Sequence, residues 1–217
     1  MNRPGFFFVT GCNAAGKSSF IRTRFNQLED FEIIMTDVYK SRAKEVCQNA
    51  LEKGVNVVIE TPFNEVSFID LIELAREKGY YTSMIVLFLD SPQHSIERVA
   101  NRILEQNGLY ISGRNIKHNF NESFKNVANY FLYFDRSDFI YTGVAGKNMQ
   151  IMSFRNHELA TYKSNDLQYP QKFAHYSNQW QRLSEESFER ITANKDYENL
   201  LLTSRSGDND HNRGFGY

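Results

Sequence analysis

Apolar residues occur along this chain in short continuous runs that alternate with stretches of helical spacing. Residues 6–9, 55–59 and 80–89 form such runs, which are typical of strands buried on both faces of a parallel sheet. Between them, as from Phe20 to Leu28, apolar side chains recur three and four positions apart, as on one face of a helix. The alternation predicts an α/β fold: a parallel, doubly wound sheet of about five strands with helices on both faces.

The same alternation continues after the first helix. A short strand at residues 31–36 precedes a predicted helix from Val38 to Glu52. A fifth strand is predicted around residues 139–141. Residues 149–154 alternate apolar and polar side chains, which favours an antiparallel strand at the edge of the sheet.

A glycine-containing motif lies where the first strand meets the first helix. Residues 11–18, Gly-Cys-Asn-Ala-Ala-Gly-Lys-Ser, fit the pattern G-x-x-x-x-G-K-[ST] of phosphate-binding loops, or P-loops. Backbone N–H groups and the positive end of the helix dipole converge on phosphates in such a loop. We therefore predict that ATP binds here, with Lys17 on the β and γ phosphates and Ser18 as a Mg²⁺ ligand. The predicted nucleotide-binding residues are Gly11, Cys12, Asn13, Ala14, Ala15, Gly16, Lys17, Ser18 and Ser19.

Acidic residues follow three of the apolar runs. Ligands of open α/β sheets gather at the carboxyl ends of the strands, so Asp37, Glu60 and Asp90 are the acids to consider. Asp37 is predicted to take the proton of an acceptor hydroxyl, to orient that hydroxyl, or to hold Mg²⁺ through water; a helix N-cap is the alternative. Glu60, followed by Thr61, is predicted to bind the substrate or to lie near the metal, because an acid that ends a buried strand needs a partner. Asp90 is interpreted as a turn or cap residue.

Phosphoryl transfer also needs cations at the transferring group. Arg98 and Arg102 are four positions apart and therefore share one face of a predicted helix. We predict that both are catalytic, acting on the phosphates, and that Arg114 contacts the substrate. A solvated helix arginine is the alternative for Arg98 or Arg102 taken alone.

Composition narrows the classes of partner and compartment. The 217 residues carry a formal net charge of −1 with acids and bases interspersed, so no global field favours nucleic acid or an anionic membrane. Cys12 and Cys47 form no C-x-x-C pair, so neither a disulfide framework nor a zinc site is expected. No apolar run has the length of a signal-peptide core or a membrane span. We therefore expect a cytoplasmic protein that binds neither nucleic acid nor membranes.

Several of these motifs resemble, in order and spacing, those of the zeta toxin family of P-loop kinases, the group that includes UDP-N-acetylglucosamine kinases. Residues 11–19 resemble the family's loop G-P-N-G-A-G-K-S-T, and the pair at residues 60–61 resembles the E-T that ends a strand. The resemblance covers roughly residues 5–145. Its other parts are Gly79-Tyr80, Ser91-Pro92, the R-V-x-x-R segment from Arg98 to Arg102, and the stretch from Gly108 to Val127.

The chain also departs from the family pattern. Ala14 replaces a loop glycine and Cys12 a proline, which a phosphate cradle tolerates if these positions keep ordinary backbone angles. Leu109 stands where the family has histidine, and residues 117–119, Lys-His-Asn, where it has an Arg-Arg pair; lysine does not reproduce a bidentate arginine contact. Residues 141–143, Tyr-Thr-Gly, replace D-N-S. These differences bear on the acceptor and on the rate of transfer, and not on nucleotide binding.

We divide the chain into three parts. A P-loop kinase domain is expected over residues 1–164, with a small lid at about residues 105–120, where Gly108 and Gly113 interrupt the helical pattern. Residues 165–203 are expected to form an aromatic-containing C-terminal extension that packs on this domain. Residues 204–217, rich in Ser, Gly, Asp and Asn, are expected to be a disordered tail.

The residues and the resemblance together predict an ATP- and Mg²⁺-dependent kinase for a hydroxyl of a small molecule. The resemblance implies a nucleotide sugar such as UDP-N-acetylglucosamine as the acceptor, and it admits an antitoxin protein as a partner. Two other classes stay open. One is a nucleotide-gated binding module with little transfer activity, which the departure at residues 117–119 permits. The other is a polynucleotide end kinase, which the lack of a basic and aromatic stripe disfavours.

Overall fold

One mixed β-sheet runs through the molecule. The computed structural model describes residues 3–106 and 110–204. Within these ranges eight strands form the sheet in the order β2-β3-β1-β4-β5-β6-β7-β8. They are β1 (Gly5–Thr10), β2 (Phe31–Met35), β3 (Asn56–Thr61), β4 (Tyr81–Phe88), β5 (Arg136–Tyr141), β6 (Met149–Arg155), β7 (Glu158–Tyr162) and β8 (Tyr197–Glu198).

The first five strands pair with one another in parallel, which confirms the predicted α/β class. The chain moves from β1 outward to β2 and then back across the sheet to β5. Because crossover connections between parallel strands are right-handed, this reversal places connecting helices on both faces of the sheet. It also creates the switch in strand order next to β1 at which ligands bind in open α/β sheets.

The predicted count of about five strands was wrong, because three antiparallel strands extend the sheet beyond β5. The antiparallel direction expected for residues 149–154 is confirmed, but β6 is not the edge strand. A two-residue turn joins β6 to β7, and both of its residues, Asn156 and His157, have positive φ angles of 50° and 73°. Such a turn usually contains glycine, whose absence removed the sequence signal for this hairpin.

Nine helices lie within the described ranges. They are α1 (Lys17–Arg22), α2 (Thr36–Tyr39), α3 (Ala43–Glu52), α4 (Ile69–Glu77), α5 (Pro92–Gln106), α6 (Gly113–Tyr130), α7 (Gln168–Gln179), α8 (Glu185–Thr192) and α9 (Leu200–Ser204). The single helix expected from Val38 to Glu52 is divided into α2 and α3, since Lys40 leaves the helical region with a φ of 52°. None of these helices is long and apolar enough to cross a membrane.

Part of the segment expected as a lid is helical. The α5 helix continues to Gln106 and α6 begins at Gly113 with Ser112 as its N-cap, where the Ser112 hydroxyl accepts from the Asn115 N–H. Residues 107–109, including Gly108 and Leu109, lie outside the described residues. The predicted tail from residue 205 onward also lies outside them.

The segment after residue 164 contributes to the central core. Phe173, on α7, is fully buried, and its ring lies 5.0 Å from that of Phe131 and 4.7 Å from that of Phe139. Burying one such side chain stabilises a fold by about 1.5–3 kcal/mol. The same helix is anchored at its start, because the Tyr169 N–H donates to Asp90 Oδ1 over 2.8 Å. Asp90 is therefore a cap residue, although for α7 rather than for α5.

Candidate functional site

The P-loop leaves β1 through a glycine that no other residue can replace without a shift of the backbone. Gly11 has a φ of 145°, and a Cβ at this position would collide with the carbonyl oxygen of Leu87. The loop ends at Gly16, the N-cap of α1, in a left-handed conformation with a φ of 89°. The two glycines let the loop fold back on itself, so that the N–H groups at the start of α1 stay free for an anion.

Ala14 departs from the expectation of ordinary backbone angles. Its φ is 56°, in the left-handed region that glycine occupies without cost. An alanine pays roughly 1–2 kcal/mol for this conformation. Glycine at this position of the family pattern is thus explained, and the alanine here stores local strain.

Replacing Ala14 with glycine is expected to raise the free energy of unfolding by up to about 1 kcal/mol. Relief of the left-handed strain outweighs the extra freedom that glycine gives the unfolded chain, which costs about 0.4–1 kcal/mol. Urea denaturation measures the difference. Ala100→Gly, on the exposed face of α5, is the matched control and should lose about 1 kcal/mol. A loss of stability in Ala14→Gly would contradict the strained geometry.

The side chains of Lys17, Ser18 and Glu60 meet where β1, β3 and α1 adjoin. Lys17 Nζ donates to the carbonyl oxygens of Gly11 and Cys12 over 2.9 and 3.2 Å, and it lies 3.9 Å from Glu60 Oε1. Ser18 Oγ donates to the other carboxylate oxygen, Glu60 Oε2, over 3.1 Å. Parallel pairing of β1 with β3 sets this contact, because Val9 lies opposite Glu60 at the carboxyl end of both strands.

Glu60 is almost completely buried, and burial raises the pKa of its carboxyl group. The Lys17 ammonium group and the hydrogen bond from Ser18 oppose that rise in the pKa, whereas the charge of Asp37 adds to it. Glu60 therefore lies within electrostatic range of both Lys17 and Asp37. A further cation close to Glu60 would favour the ionised form of its carboxyl group.

Mg²⁺–ATP affinity is expected to fall when the pH is lowered from 7 toward 5. Cation binding needs ionised Glu60, whose raised pKa makes it protonate at a higher pH than an ordinary glutamate. Glu60→Gln should bind Mg²⁺–ATP about tenfold or more weakly at pH 7, since a contact with a charged group is worth about 1.5–3 kcal/mol. Calorimetry measures the Mg²⁺–ATP affinity of the wild-type protein and of Glu60→Gln across the pH range. ATP titrates in the same way in both series, so a difference between the two pH profiles is due to Glu60. Parallel pH profiles would show that Glu60 does not act on the metal.

Asp37 lies in the first turn of α2, directly after β2, and its side chain is exposed. The N-cap of α2 is Met35, and no side chain caps this helix. The structure thus does not support the helix-cap alternative for Asp37. Asp37 lies near Glu60 at the carboxyl edge of the sheet, and its carboxylate is accessible to solvent.

Thr61 and Arg114 occupy different surroundings. Thr61 is fully buried, and its hydroxyl accepts from the N–H of Phe63 over 3.1 Å, so it shapes the turn after β3. Arg114 is exposed in the first turn of α6. The geometry therefore brings Asp37 and Glu60 together with the P-loop, and it places Arg114 at the surface.

The two arginines of α5 have different partners. Arg98 donates from Nη1 to the carbonyl oxygen of Thr142 over 2.9 Å. The Nε of Arg102 is buried, and it has no hydrogen-bond partner among the described residues. A buried donor without a partner costs stability, and a ligand that accepted its hydrogen bond would recover that cost.

Sequence reasoning missed several residues that fix the P-loop from outside. The Thr142 hydroxyl, after β5, donates to the carbonyl oxygen of Ala15 over 2.9 Å. The Ser95 hydroxyl, on α5, donates to that of Asn13 over 2.6 Å. Asn119, on α6, bonds the side chain of Asn13. These contacts span 82 or more positions, so no local pattern could have revealed them.

The donor set suits Mg²⁺ bound together with a triphosphate. Within residues 3–106 and 110–204, no three His, Cys, Asp or Glu side chains cluster in a way that could hold a metal alone. Mg²⁺ needs no such cluster, because it keeps several waters and binds through one or two protein oxygens plus substrate phosphates. Ser18 Oγ and the Glu60 carboxylate are oxygens of this kind, and they lie within hydrogen-bond distance of each other.

Comparison with known protein families gives a match to the zeta toxin family over residues 32–150. The matched segment is more than half of the chain and contains Asp37, Glu60, Arg98 and Arg102. It begins after the P-loop, which is therefore identified by its own pattern and geometry. The comparison with curated proteins gives no match.

Solved structures share the fold at low sequence identity. A chain of the PezAT chromosomal toxin–antitoxin system of Streptococcus pneumoniae is 19% identical, with a TM-score of 0.51 over 68% of this chain and 72% of that one. A chain of the AvrRxo1-ORF1:AvrRxo1-ORF2 complex with ATP is 12% identical, with a TM-score of 0.59 over 95% and 81%. A chain of the Pnkp1/Rnl/Hen1 RNA repair complex is 18% identical, with a TM-score of 0.50 over 59% and 47%.

Proposed function

Because this chain belongs to the zeta toxin family, we propose that it is an ATP- and Mg²⁺-dependent kinase that phosphorylates a hydroxyl group of a small molecule. The observation that carries the proposal is the contact of Lys17 and Ser18 with Glu60 at the start of α1. A lysine, a hydroxyl and a carboxylate beside a loop of free N–H groups are the parts of a Mg²⁺–triphosphate site.

Lys17 changes partners when ATP binds. Without a nucleotide its ammonium group is held by the carbonyl oxygens of Gly11 and Cys12 and by the Glu60 carboxylate. The β and γ phosphates, which carry more charge than carbonyl oxygens, take over these contacts. The lysine is thus already inside the loop and needs only a short movement of its terminal atoms.

Ser18 and Glu60 would hold Mg²⁺ at the phosphates. The metal supplies positive charge that neutralises the phosphate oxygens during transfer. Ser18, whose hydroxyl donates to Glu60 without a nucleotide, would hold the metal through its oxygen. The Lys17 ammonium group opposes the rise that burial causes in the pKa of Glu60, and a metal cation would favour the ionised carboxylate further.

Asp37 acts on the acceptor. Its carboxylate accepts the proton of the acceptor hydroxyl while that oxygen forms a bond to the γ phosphorus, and the bond from this phosphorus to the bridging oxygen of ADP breaks. The exposed position of Asp37 at the end of β2 allows an acceptor to reach it. Glu60 and Thr61 line the neighbouring strand end, and Arg114 would approach from α6.

Arg102→Ala is expected to lower kcat by about 10²-fold while ATP affinity changes only a few fold. The buried and unpartnered Nε of Arg102 gains its partner as charge develops on the transferring group, so its contact strengthens in the transition state. Steady-state kinetics gives kcat, and calorimetry measures ATP affinity separately. Arg76→Ala, exposed on α4, is the control. Equal losses of kcat and ATP affinity would assign Arg102 to ground-state binding instead.

The acceptor we propose is a nucleotide sugar such as UDP-N-acetylglucosamine, and an antitoxin protein is the proposed macromolecular partner. The family supports the proposed acceptor. The family and the PezAT toxin–antitoxin system, one chain of which shares this fold, support the proposed antitoxin partner. Incubating the protein with ATP, Mg²⁺ and a panel of nucleotide sugars should give ADP and one phosphorylated sugar. Mass spectrometry identifies the product, and Asp37→Asn serves as the folded control.

A nucleotide-binding module with little transfer activity is the second candidate. It is favoured by Asn119, a neutral amide beside the P-loop in the segment where the family pattern carries two arginines. In that case ATP binds, but no sugar in the panel is phosphorylated, and ADP forms no faster than in Asp37→Asn.

A further inference from the structure

A chain of three asparagine side chains connects the P-loop to the loop that follows β3. The Nδ2 of Asn119, on α6, donates to Oδ1 of Asn13 over 3.0 Å. The Oδ1 of Asn119 accepts from Nδ2 of Asn64 over 2.9 Å. One amide on α6 therefore joins the loop that would bind ATP to the loop that follows Glu60 and Thr61.

Both ends of this connection are held by further contacts. At the P-loop, the Ser95 hydroxyl donates to the backbone carbonyl of Asn13 over 2.6 Å. At the other end, Asn126, also on α6, donates to the carbonyl oxygen of Phe63 over 2.9 Å. Phe63 is fully buried and has a left-handed φ of 52°. Both ends of the connection are therefore held by contacts other than the three asparagine side chains.

The hydrogen bonds also fix the orientation of Asn13. An amide oxygen only accepts and an amide NH₂ only donates, so the chain runs from Asn64 through Asn119 to the oxygen of Asn13. No described residue accepts a hydrogen bond from Asn13 Nδ2, which stays available on the P-loop. Asn13 thus offers a donor, and not an acceptor, to an anion bound in the loop.

We propose that Asn119 is a positioning residue that couples the two loops. ATP at the P-loop orders the loop after β3, and by reciprocity an acceptor bound at that loop strengthens ATP binding. The identity of the two ligands rests on the proposed kinase function, but the transmission from the P-loop to residues 63–68 can be measured without an acceptor. Two neutral hydrogen bonds carry the coupling, so its size is expected to be roughly 3- to 10-fold.

Hydrogen exchange with and without a non-hydrolysable ATP analogue and Mg²⁺ tests this proposal. In the wild-type protein, the analogue should slow the exchange of residues 63–68 by roughly 3- to 10-fold. In Asn119→Ala the analogue still binds, and the exchange of these residues should not change. Asn121→Ala replaces an asparagine on the exposed side of the same helix and should behave like wild type.

Two further variants separate coupling from a general loss of structure. Asn64→Ala removes the other end of the connection and should also abolish the slowing of exchange by the analogue. The double variant Asn64→Ala/Asn119→Ala should behave like either single variant, because each single change already breaks the same connection. Asn64→Ala also provides the readout if Asn119→Ala does not fold. If the analogue slows the exchange of residues 63–68 in both single variants as much as in wild type, or if it binds the wild type without slowing that exchange, the coupling is overturned and the kinase proposal stands. A wild-type protein that binds no nucleotide overturns both.

Discussion

Replacing Lys17 with alanine should abolish measurable Mg²⁺–ATP binding in a protein that still folds. Lys17 Nζ is the one ammonium group that reaches both the P-loop carbonyls and Glu60 in the described structure, so no neighbour can take over its contact with the β and γ phosphates. Charge-assisted contacts with two phosphates are worth about 1.5–3 kcal/mol each, which amounts to about a hundredfold or more in affinity. Isothermal titration calorimetry with Mg²⁺–ATP measures the loss.

The fold of Lys17→Ala is checked separately, because Glu60 loses its partner. A buried carboxyl without a nearby cation protonates, and its pKa rises further above the usual range. Lys53→Ala, exposed after α3, is the matched control and should bind ATP like wild type. A folded Lys17→Ala protein with unchanged ATP affinity would refute the phosphate-loop assignment.

Asp37→Asn should lower the rate of phosphoryl transfer by about 10²- to 10⁴-fold, the range expected for loss of a general base. The amide keeps the shape of the side chain but cannot take the proton of the acceptor. ATP affinity should stay within a few fold of wild type, because Asp37 lies at the end of β2 and makes no contact with the P-loop backbone that the structure records. Single-turnover kinetics with the identified acceptor gives the rate of the chemical step.

Asp30→Asn is the matched control for this change, since Asp30 is an exposed acid that precedes β2 at the opposite end of the strand. It should transfer phosphate at the wild-type rate. Near wild-type transfer by Asp37→Asn would show that Asp37 is not the general base and would leave it as a surface residue.

The part of the site that the sequence could predict is the part that follows from parallel strand pairing. The P-loop pattern places Lys17 and Ser18 after β1, and the apolar run at residues 55–59 places Glu60 at the end of a second strand. Because the carboxyl ends of parallel strands meet at one edge, their proximity follows from the class of fold. The 3.9 Å separation of Lys17 and Glu60 agrees with this reasoning.

The parts that could not be predicted depend on backbone angles and on distant contacts. The left-handed conformation of Ala14 follows from how the loop closes, and an alanine in the sequence does not indicate such a conformation. The turn at Asn156 and His157 lacks the glycine that would have revealed the hairpin. The amide contact between Asn119 and Asn13 joins residues 106 positions apart, so it exists only once α6 has docked.

Synthesis on the ribosome proceeds from the N-terminus, and the P-loop emerges long before the groups that support it. The carbonyl oxygen of Ala15 accepts a hydrogen bond from the Thr142 hydroxyl, and Asp90 accepts one from the Tyr169 N–H. Neither bond can form before the later residue has been synthesised. The aromatic cluster around Phe139 closes only when Phe173 arrives. Contacts between residues so far apart form late, after most of the chain has been released. A nascent chain that ends before α7 should therefore bind ATP poorly, and tight binding should appear only after α7 has been synthesised.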